Sequence, residues 1–243
     1  MGMIDLHNHL LPGIDDGAED VGKSVELARV AVANGISHLV CTPHIHPGRY
    51  DNTPDTIAAA LAEFKSALLA ESVALKVAAA AEVRFGLELM QGITQQTVPF
   101  LGEWQGQKVL LLEFPHSEVP FGAEKLTQWM LQRGILPMIA HPERNKGIMK
   151  NRVKLKPFLQ QGCLLQVTAA SVAGQFGETA RGIAADLLTE GHVTILATDA
   201  HNLTHRPPEL KPGVRAAAEL IGDQRAAELV TQNPWRLAEV HFA

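Results

Sequence analysis

Cysteine and blocks of like charge are scarce in this chain of 243 residues. The two cysteines, Cys41 and Cys163, lie inside apolar runs without a CxxC spacing, so neither a disulfide framework nor a structural zinc site is expected. Charged residues make up 19% of the chain and are dispersed, with a formal net charge of -5, which argues against a nucleic-acid partner. This composition indicates a protein of the reducing cytoplasm.

Long hydrophobic runs are also missing. The apolar stretch at 73–81 is interrupted by Lys76 and falls far short of the roughly 20 residues that a membrane helix needs. Met1 leads almost at once into a strand-like segment, without the basic start and apolar core of a signal peptide. We therefore expect neither membrane insertion nor export. The 46% of hydrophobic residues suffice for the core of a single domain over residues 1–243.

Short apolar runs alternate with longer segments of helical period, a pattern typical of βα units and a parallel sheet. Strands are predicted at 4–8, 38–42, 75–83, 108–114, 136–141, 164–168 and 193–198, and helices at 21–34, 54–71, 123–133, 152–161, 179–190 and 214–221. About seven strands in this length predict an α/β fold, a closed TIM-like barrel slightly smaller than the common eight-unit form. The segment 87–107 is rich in glycine and is expected to be an insertion or a flattened stretch.

Acidic and imidazole side chains recur where the predicted strands end. His7 and His9 lie two residues apart, so they share one face of an extended segment. Taken alone, this pair is as readily explained by two packed or exposed imidazoles. The other strand ends, however, contribute Asp16, His44, Glu82, Glu113, His141, Asp199 and His201. Because the carboxyl ends of barrel strands meet at one mouth, we expect all of these side chains to converge there.

The converging side chains predict a site for several divalent cations. Burying so many acids and imidazoles without compensating charge would be costly, and cations supply that charge. Imidazole nitrogen and carboxylate oxygen suit manganese, iron or zinc better than calcium. We expect a carboxylate, with Glu82 as first choice, to bridge two of the ions, an arrangement used in phosphate ester hydrolysis.

Three arginines follow these acidic and histidine motifs. Arg144 and Arg206 come after the segments of His141 and His201, and Arg49 lies in the loop after His44. A guanidinium group matches phosphate oxygens and stabilises charge that develops during phosphoryl transfer. An ordinary surface ion pair is the alternative for each, and it is strongest for Arg49. The arginines nevertheless favour a phosphate ester as the substrate.

The motifs together resemble the polymerase and histidinol phosphatase (PHP) superfamily of metal-dependent phosphoesterases. Within it, the chain is most similar to the manganese-dependent protein tyrosine phosphatases of bacterial capsule and exopolysaccharide synthesis. The resemblance runs almost from end to end. It rests on Asp5-Leu6-His7-Asn8-His9, Ile14-Asp15-Asp16-Gly17, Thr42-Pro43-His44, Ala81-Glu82, His141-Pro142-Glu143-Arg144 and Asp199-Ala200-His201-Asn202.

This resemblance implies a distorted (β/α)7 barrel of the PHP type with three metal ions, manganese first and iron or zinc as alternatives. One ion would take His7, His9, Glu82 and Asp199, a second Glu82, Glu113 and His141, and a third Asp16, His44 and His201, while Arg144 and Arg206 would hold the phosphate. It also implies a phosphotyrosine protein as substrate, namely a bacterial tyrosine kinase of polysaccharide export. The roles of His46, Arg49 and His116 stay open.

Other enzyme classes can be compared with the chain directly. A cysteine-dependent tyrosine phosphatase needs an arginine six positions after its cysteine, but Pro47 and Ala169 stand at those places. A histidinol-phosphate phosphatase, or another small-molecule phosphoesterase, would use the same metal ligands and stays an alternative. A metal-stabilised binding scaffold without catalysis is the alternative from another class, although the complete ligand set argues against it.

Overall fold

The computed structural model describes residues 2–242. Its strands are β1 (Met3–Asp5), β2 (Ile36–Cys41), β3 (His44–Ile45), β4 (Lys76–Ala79), β5 (Glu82–Arg84), β6 (Gly102–Trp104), β7 (Gln107–Glu113), β8 (Ile135–Ala140), β9 (Leu164–Thr168) and β10 (Ile195–Ala197). Its α-helices are α1 (Val21–Ala33), α2 (Pro54–Ala70), α3 (Leu87–Thr94), α4 (Ala123–Leu131), α5 (Lys146–Lys150), α6 (Lys156–Gln160), α7 (Ala169–Val172), α8 (Glu178–Thr189), α9 (Lys211–Ile221), α10 (Asp223–Glu228) and α11 (Gln232–Ala238). Short 3-10 helices span Pro142–Arg144, Arg152–Leu155 and Glu239–His241.

The strands form a ring of seven parallel positions. One hydrogen-bonded path runs β1-β2-β4 and the other β10-β9-β8-β7-β5-β3. In the ring, β2 and β3 are successive parts of one position, and β4 and β5 are successive parts of the next. The ladder of hydrogen bonds that pairs β2 with β4 is interrupted before it resumes between β3 and β5. A parallel bridge between Asn8 and Ala200 joins the first position to the last. The expected distorted (β/α)7 barrel is therefore confirmed, and the distortion lies in the second and third positions.

Alternating residues of the central strands separate the core into two apolar clusters. In β7, Val109 and Leu111 belong to a cluster with Met138, whereas Leu110 belongs to a larger cluster that includes residues of the outer helices. Side chains of a strand point alternately to its two faces. The first cluster therefore fills the barrel, and the second packs the helices against the strands. Strands covered on both faces need nearly continuous apolar sequence, and all six residues of β8 are buried.

Local sequence explains where the helices begin. Asp20 caps α1, because its side chain accepts a hydrogen bond from the Lys23 backbone N–H at 2.8 Å. Thr53 caps α2 through a reciprocal capping box with Thr56, and Pro54 occupies the first turn, where its missing N–H costs nothing. These two helices start and stop within one residue of the predicted bounds. No helix in residues 2–242 is long and apolar enough to cross a membrane.

Two of the predicted elements needed correction. The strand expected over 75–83 is split into β4 and β5, and the helix expected over 152–161 is a 3-10 turn followed by α6. Pro157 explains the second break, because a proline cannot donate a hydrogen bond to the preceding turn. The irregular segment 87–107 contains α3 and β6, which pairs antiparallel with β7. Gly102 lets β6 approach α11 closely, since a Cβ there would lie 1.9 Å from the Leu237 carbonyl oxygen.

Candidate metal centre

The first and last barrel positions bring His7, His9 and Asp199 together. The Asp199 N–H donates to the His7 carbonyl at 2.8 Å, and the His9 N–H donates to the Ala200 carbonyl at 2.8 Å. These backbone hydrogen bonds therefore join the two segments at the residues whose side chains form the candidate site. Both imidazoles and the carboxylate are buried, as the convergence of strand ends requires.

Two imidazoles and two carboxylates point at one spot between them. The Nε2 atom of His7 lies 3.3 Å from Glu82 Oε2 and 3.4 Å from Asp199 Oδ1, and the Nε2 atom of His9 lies 3.4 Å and 3.5 Å from the same two oxygens. Although buried, both Nε2 atoms and Glu82 Oε2 have no hydrogen-bond partner among residues 2–242. Unpartnered buried donors and acceptors are rare. This set of nitrogen and oxygen ligands fits a divalent cation.

A second group surrounds Asp16. Its Oδ1 atom lies 3.3 Å from His44 Nε2 and 3.5 Å from His201 Nε2, and His9 completes a group whose ligand atoms all lie within 4.8 Å of one another. His44 Nδ1 and His201 Nε2 are also buried without a hydrogen-bond partner in the described residues. The structure thus brings together Asp16, His44 and His201, the three residues expected to share an ion.

The third group differs in detail from the set that the resemblance implies. Glu82 Oε1 is hydrogen-bonded to His141 Nε2 at 2.9 Å, and its Oε2 lies 3.0 Å from His44 Nδ1. Glu113 joins Glu82 and His44 in a group of possible ligands, but its Oε2 also lies 3.0 Å from Arg84 Nη1. Glu82 therefore contacts imidazoles of all three groups, which suits a bridging carboxylate.

Two polar side chains that orient the histidines were missed in the sequence. Asp15 Oδ2 lies 2.7 Å from His9 Nδ1, and Gln166 Oε1 lies 2.7 Å from His7 Nδ1. Such partners fix the ring orientation, so that the opposite nitrogen faces the ion. Two signals in the sequence were available. Asp15 is adjacent to the predicted ligand Asp16, and Gln166 is a polar residue inside the apolar strand β9.

A buried carboxylate lies behind the ligands. Asp5 accepts hydrogen bonds from the Thr198 hydroxyl at 2.6 Å and from the Thr198 N–H at 2.9 Å. Burial raises its pKa to about 6, although these hydrogen bonds act in the opposite direction. Asp5 thereby holds the segment before Asp199 in place from the inside of the barrel.

Mutual electrostatics keeps the acidic ligands ionised. Burial would raise the pKa of Glu82, but the imidazoles of His7 and His44 hold it well below its usual value. Burial would likewise raise the pKa of Asp199, and the Arg144 guanidinium with His7 holds it well below the usual value. Burial lowers the pKa of His201 to about 4, so this imidazole is neutral at pH 7. Metal ions bind ionised carboxylates and neutral imidazoles, so the protons that the carboxylates favour on His7, His9 and His44, whose pKa values are raised despite burial, would be released on metal binding.

The backbone is strained at two of these positions. His141 has φ of 31° and Asp199 has φ of 52°, in a region that residues other than glycine rarely adopt. Such conformations persist only where the surrounding structure imposes them, and they cluster at functional sites. His141 comes one residue and Asp199 two residues after the end of a buried strand, and both side chains turn toward the centre.

An open cleft of about 220 Å³ gives access to the centre. Arg144 Nη1 contacts Asp199 Oδ2, and Arg206 Nη1 lies 3.6 Å from the same oxygen. The structure therefore places both predicted phosphate-binding arginines beside the candidate ligands. The residues whose roles stayed open, His46, Arg49 and His116, also line this cleft, as do Tyr50 and Arg84.

Comparisons with known proteins agree with this geometry. The family described as capsular polysaccharide synthesis, CpsB/CapC, matches residues 3–239. The tyrosine-protein phosphatase YwqE of Bacillus subtilis is 36% identical over 204 residues, which cover 84% of this chain and 79% of that protein. The putative tyrosine-protein phosphatase CapC of Staphylococcus aureus is 32% identical over 209 residues, which cover 86% of this chain and 81% of that protein.

The fold is similar to a crystal structure from a pair described as metal-dependent tyrosine phosphatases, YwqE from Bacillus subtilis and CpsB from Streptococcus pneumoniae. The TM-score is 0.90 at 33% sequence identity, with 98% of this chain and 94% of that chain covered. The resemblance of the sequence motifs to the capsule-associated phosphatases is thereby confirmed. The chain belongs to the CpsB/CapC family of capsular polysaccharide synthesis.

Proposed function

We propose that this chain is a metal-dependent phosphatase that hydrolyses phosphotyrosine in proteins. The observation that carries the proposal is the position of Arg144 and Arg206, both beside Asp199 at the edge of a buried group of unpartnered imidazole and carboxylate atoms. Metal ligands next to two guanidinium groups favour a substrate that carries a phosphate. The relatives described as tyrosine phosphatases support the same activity.

Three divalent ions, manganese first and iron or zinc as alternatives, are part of the proposal. His7, His9, Glu82 and Asp199 would hold one, Glu82, Glu113 and His141 a second, and Asp16, His44 and His201 a third. When bound, such ions supply hydroxide near neutral pH and neutralise phosphate charge. The absence of a thiolate from the ligand set is consistent with manganese and does not exclude iron or zinc.

The side chains of the protein would orient the reactants. Arg144 and Arg206 donate to phosphate oxygens and stabilise the charge that develops as the ester bond breaks. The side chain of Arg144 is only 16% exposed, so its charge is poorly screened by water. Asp15 and Gln166 keep the rings of His9 and His7 turned toward the centre, which fixes the ligands before the substrate arrives.

The proposed substrate is a phosphotyrosine on a bacterial tyrosine kinase that controls capsular or exopolysaccharide synthesis, encountered in the cytoplasm. The family description supports the connection with capsule synthesis. Residues 1–243 would act as a single catalytic domain. The open cleft, with Arg49 and His116 at its edge, would leave room for a polypeptide on either side of the phosphate.

The mechanism is tested by removing one ligand at a time. His141→Ala and Asp199→Ala should abolish hydrolysis of a phosphotyrosine peptide by the manganese-loaded protein while circular dichroism shows a folded barrel. His192→Ala is the matched control, because this half-exposed imidazole lies in the turn before β10, outside the centre. Normal turnover by the His141→Ala protein would contradict the proposal.

The substrate class needs a separate comparison. We expect kcat/KM with added manganese to be higher for a phosphotyrosine peptide than for a phosphoserine peptide or histidinol phosphate. Preference for histidinol phosphate would make the chain a small-molecule phosphatase. Metal binding without hydrolysis of any of the three esters, under manganese, iron or zinc, would make it a non-catalytic scaffold.

A further inference from the structure

Phe176 lies against the phosphate-binding face of the site without belonging to the apolar core. The guanidinium carbon of Arg144 stands 4.3 Å from the centre of its ring. Phe176 is half-buried in the loop between α7 and α8, and it is not among the residues that pack against either apolar cluster of residues 2–242. The ring therefore contacts the arginine without belonging to either apolar cluster.

We propose that Phe176 and Glu143 are positioning residues for Arg144, an inference that rests on the phosphate-binding role given to Arg144 above. A guanidinium group carries its five donors around the edge of a plane, while its faces can only stack. An aromatic ring on one face thus restricts the tilt of the plane and occupies no donor. The N–H groups of Arg144 that do not contact Asp199 stay available to phosphate oxygens.

Glu143 links the two segments that carry this pair. Its side chain is fully buried, and its Oε1 atom accepts hydrogen bonds from the Ser171 hydroxyl at 2.7 Å and the Thr168 N–H at 3.0 Å. Arg144 is the next residue in the chain, and Phe176 lies five residues after Ser171. One carboxylate oxygen therefore connects the turn that carries the arginine to α7, the helix that leads into the loop with the ring.

The backbone of the loop limits where Phe176 can lie. The Gln175 N–H donates to the Ala170 carbonyl at 2.9 Å, and the Gly177 N–H donates to the Gly174 carbonyl at 3.2 Å. Gly174 and Gly177 have φ of 85° and 87°, which only glycine adopts cheaply. Two left-handed residues on either side of a short turn fix the direction of the ring between them.

The experiment measures phosphate affinity in the manganese-loaded protein. Phe176→Leu keeps an apolar side chain but removes the ring face. It should raise the dissociation constant for inorganic phosphate and the KM for a phosphotyrosine peptide by about three- to tenfold, the effect of losing a partly desolvated cation–π contact. Phe176→Tyr should stay within about twofold of the native protein, because it keeps the face.

A double-mutant cycle separates positioning from general damage. In an Arg144→Ala background, Phe176→Leu should cause no further loss of phosphate affinity, because the group that it positions is gone. Phe100→Leu is the matched control, since it removes a similar contact with Lys108 at 5.1 Å, outside the cleft. An equal loss from Phe176→Leu with and without Arg144, or no loss at all, would overturn the inference.

Variants of Glu143 and Ser171 test the proposed positioning role of Glu143. Glu143→Gln keeps the Oε1 acceptor and should preserve phosphate affinity, whereas Glu143→Leu or Ser171→Ala should raise the dissociation constant in the same direction as Phe176→Leu. If Glu143→Leu does not fold, Ser171→Ala gives the result, and an unchanged dissociation constant contradicts the link. If phosphate binding shows the coupling between Phe176 and Arg144 but the native protein hydrolyses no ester, the proposed function is refuted and the positioning role stands.

Discussion

Replacing Asp15 by Asn should weaken metal binding without removing a ligand. The side chain of Asp15 is only 1% exposed. Its Oδ2 atom lies 2.7 Å from His9 Nδ1 and accepts the His44 N–H at 3.1 Å, while Oδ1 accepts the Gly17 N–H at 3.0 Å. An amide has only one acceptor oxygen, so either the histidine side or Gly17 must face the donor NH2 group.

The expected loss of metal affinity in the Asp15→Asn protein follows from this geometry. His9 Nε2 faces the oxygens of Glu82 and Asp199 because its other nitrogen is held by Asp15. Losing a charged partner behind a ligating imidazole typically lowers metal affinity by about 10- to 100-fold. This corresponds to about 1.4 to 2.7 kcal/mol of binding free energy at 25 °C. The loss should be largest for the ions that His9 would hold.

Competition with a fluorescent chelator measures the affinity directly. Asp20→Asn is the matched control, because the same change at the exposed cap of α1 keeps an acceptor for the Lys23 N–H and leaves the centre untouched. Excess manganese should restore much of the activity of the Asp15→Asn protein, since no ligand is lost. Equal manganese affinity of the Asp15→Asn and Asp20→Asn proteins would refute the orienting role.

Three further predictions concern stability and reactivity. Burial raises the pKa of Asp5 to about 6, above its value in the unfolded chain, so in metal-free protein this group contributes stability at pH 4 that is lost as pH rises. Urea titrations should show that the free energy of unfolding falls by about 2 kcal/mol more for the native protein than for Asp5→Asn between pH 4 and 7, and parallel profiles would contradict this. Burial raises the pKa of the Cys163 thiol to about 12, so iodoacetamide at pH 7 should leave native Cys163 unlabelled and activity unchanged, and rapid labelling would argue otherwise. Phe64→Ala should lower the free energy of unfolding by about 3 to 5 kcal/mol, against less than about 0.5 kcal/mol for Leu69→Ala, which is 83% exposed; similar losses would refute the packing argument.

The barrel and its mouth were predictable because both depend on local patterns. A strand buried on two faces needs an unbroken apolar run, and β8 and β10 have such runs at the predicted places. Polar side chains at the ends of those runs must lie at the carboxyl mouth. His141 and Asp199 could thus be assigned to one site although 58 positions of sequence numbering separate them.

The contacts around the ligands were harder to predict, because they depend on pairings that no spacing reveals. His7 meets Gln166 across 159 residues, and although Gln166 is a polar residue in an apolar strand, nothing in the sequence indicates which side chain it contacts. The ion pair of Glu113 with Arg84 exists because β5 and β7 are adjacent and in register at these residues. Adjacency of strands was predictable, but the break that creates β5 was not.

The candidate metal centre costs folding free energy, and this cost explains why its ligands are held by strands. Glu82 Oε2 and the Nε2 atoms of His7 and His9 are buried without hydrogen bonds among the described residues, and His141 and Asp199 have strained backbones. A flexible loop would relax such features, since nothing would prevent the groups from turning toward water. Here every ligand except Asp16 lies in a strand or within four residues after one, so the apolar barrel imposes most of the arrangement. Rigid strand ends hold the ligands, whereas Arg144 depends on contacts from a separate loop, and the phosphate-binding side should therefore tolerate substitution better than the ligand side.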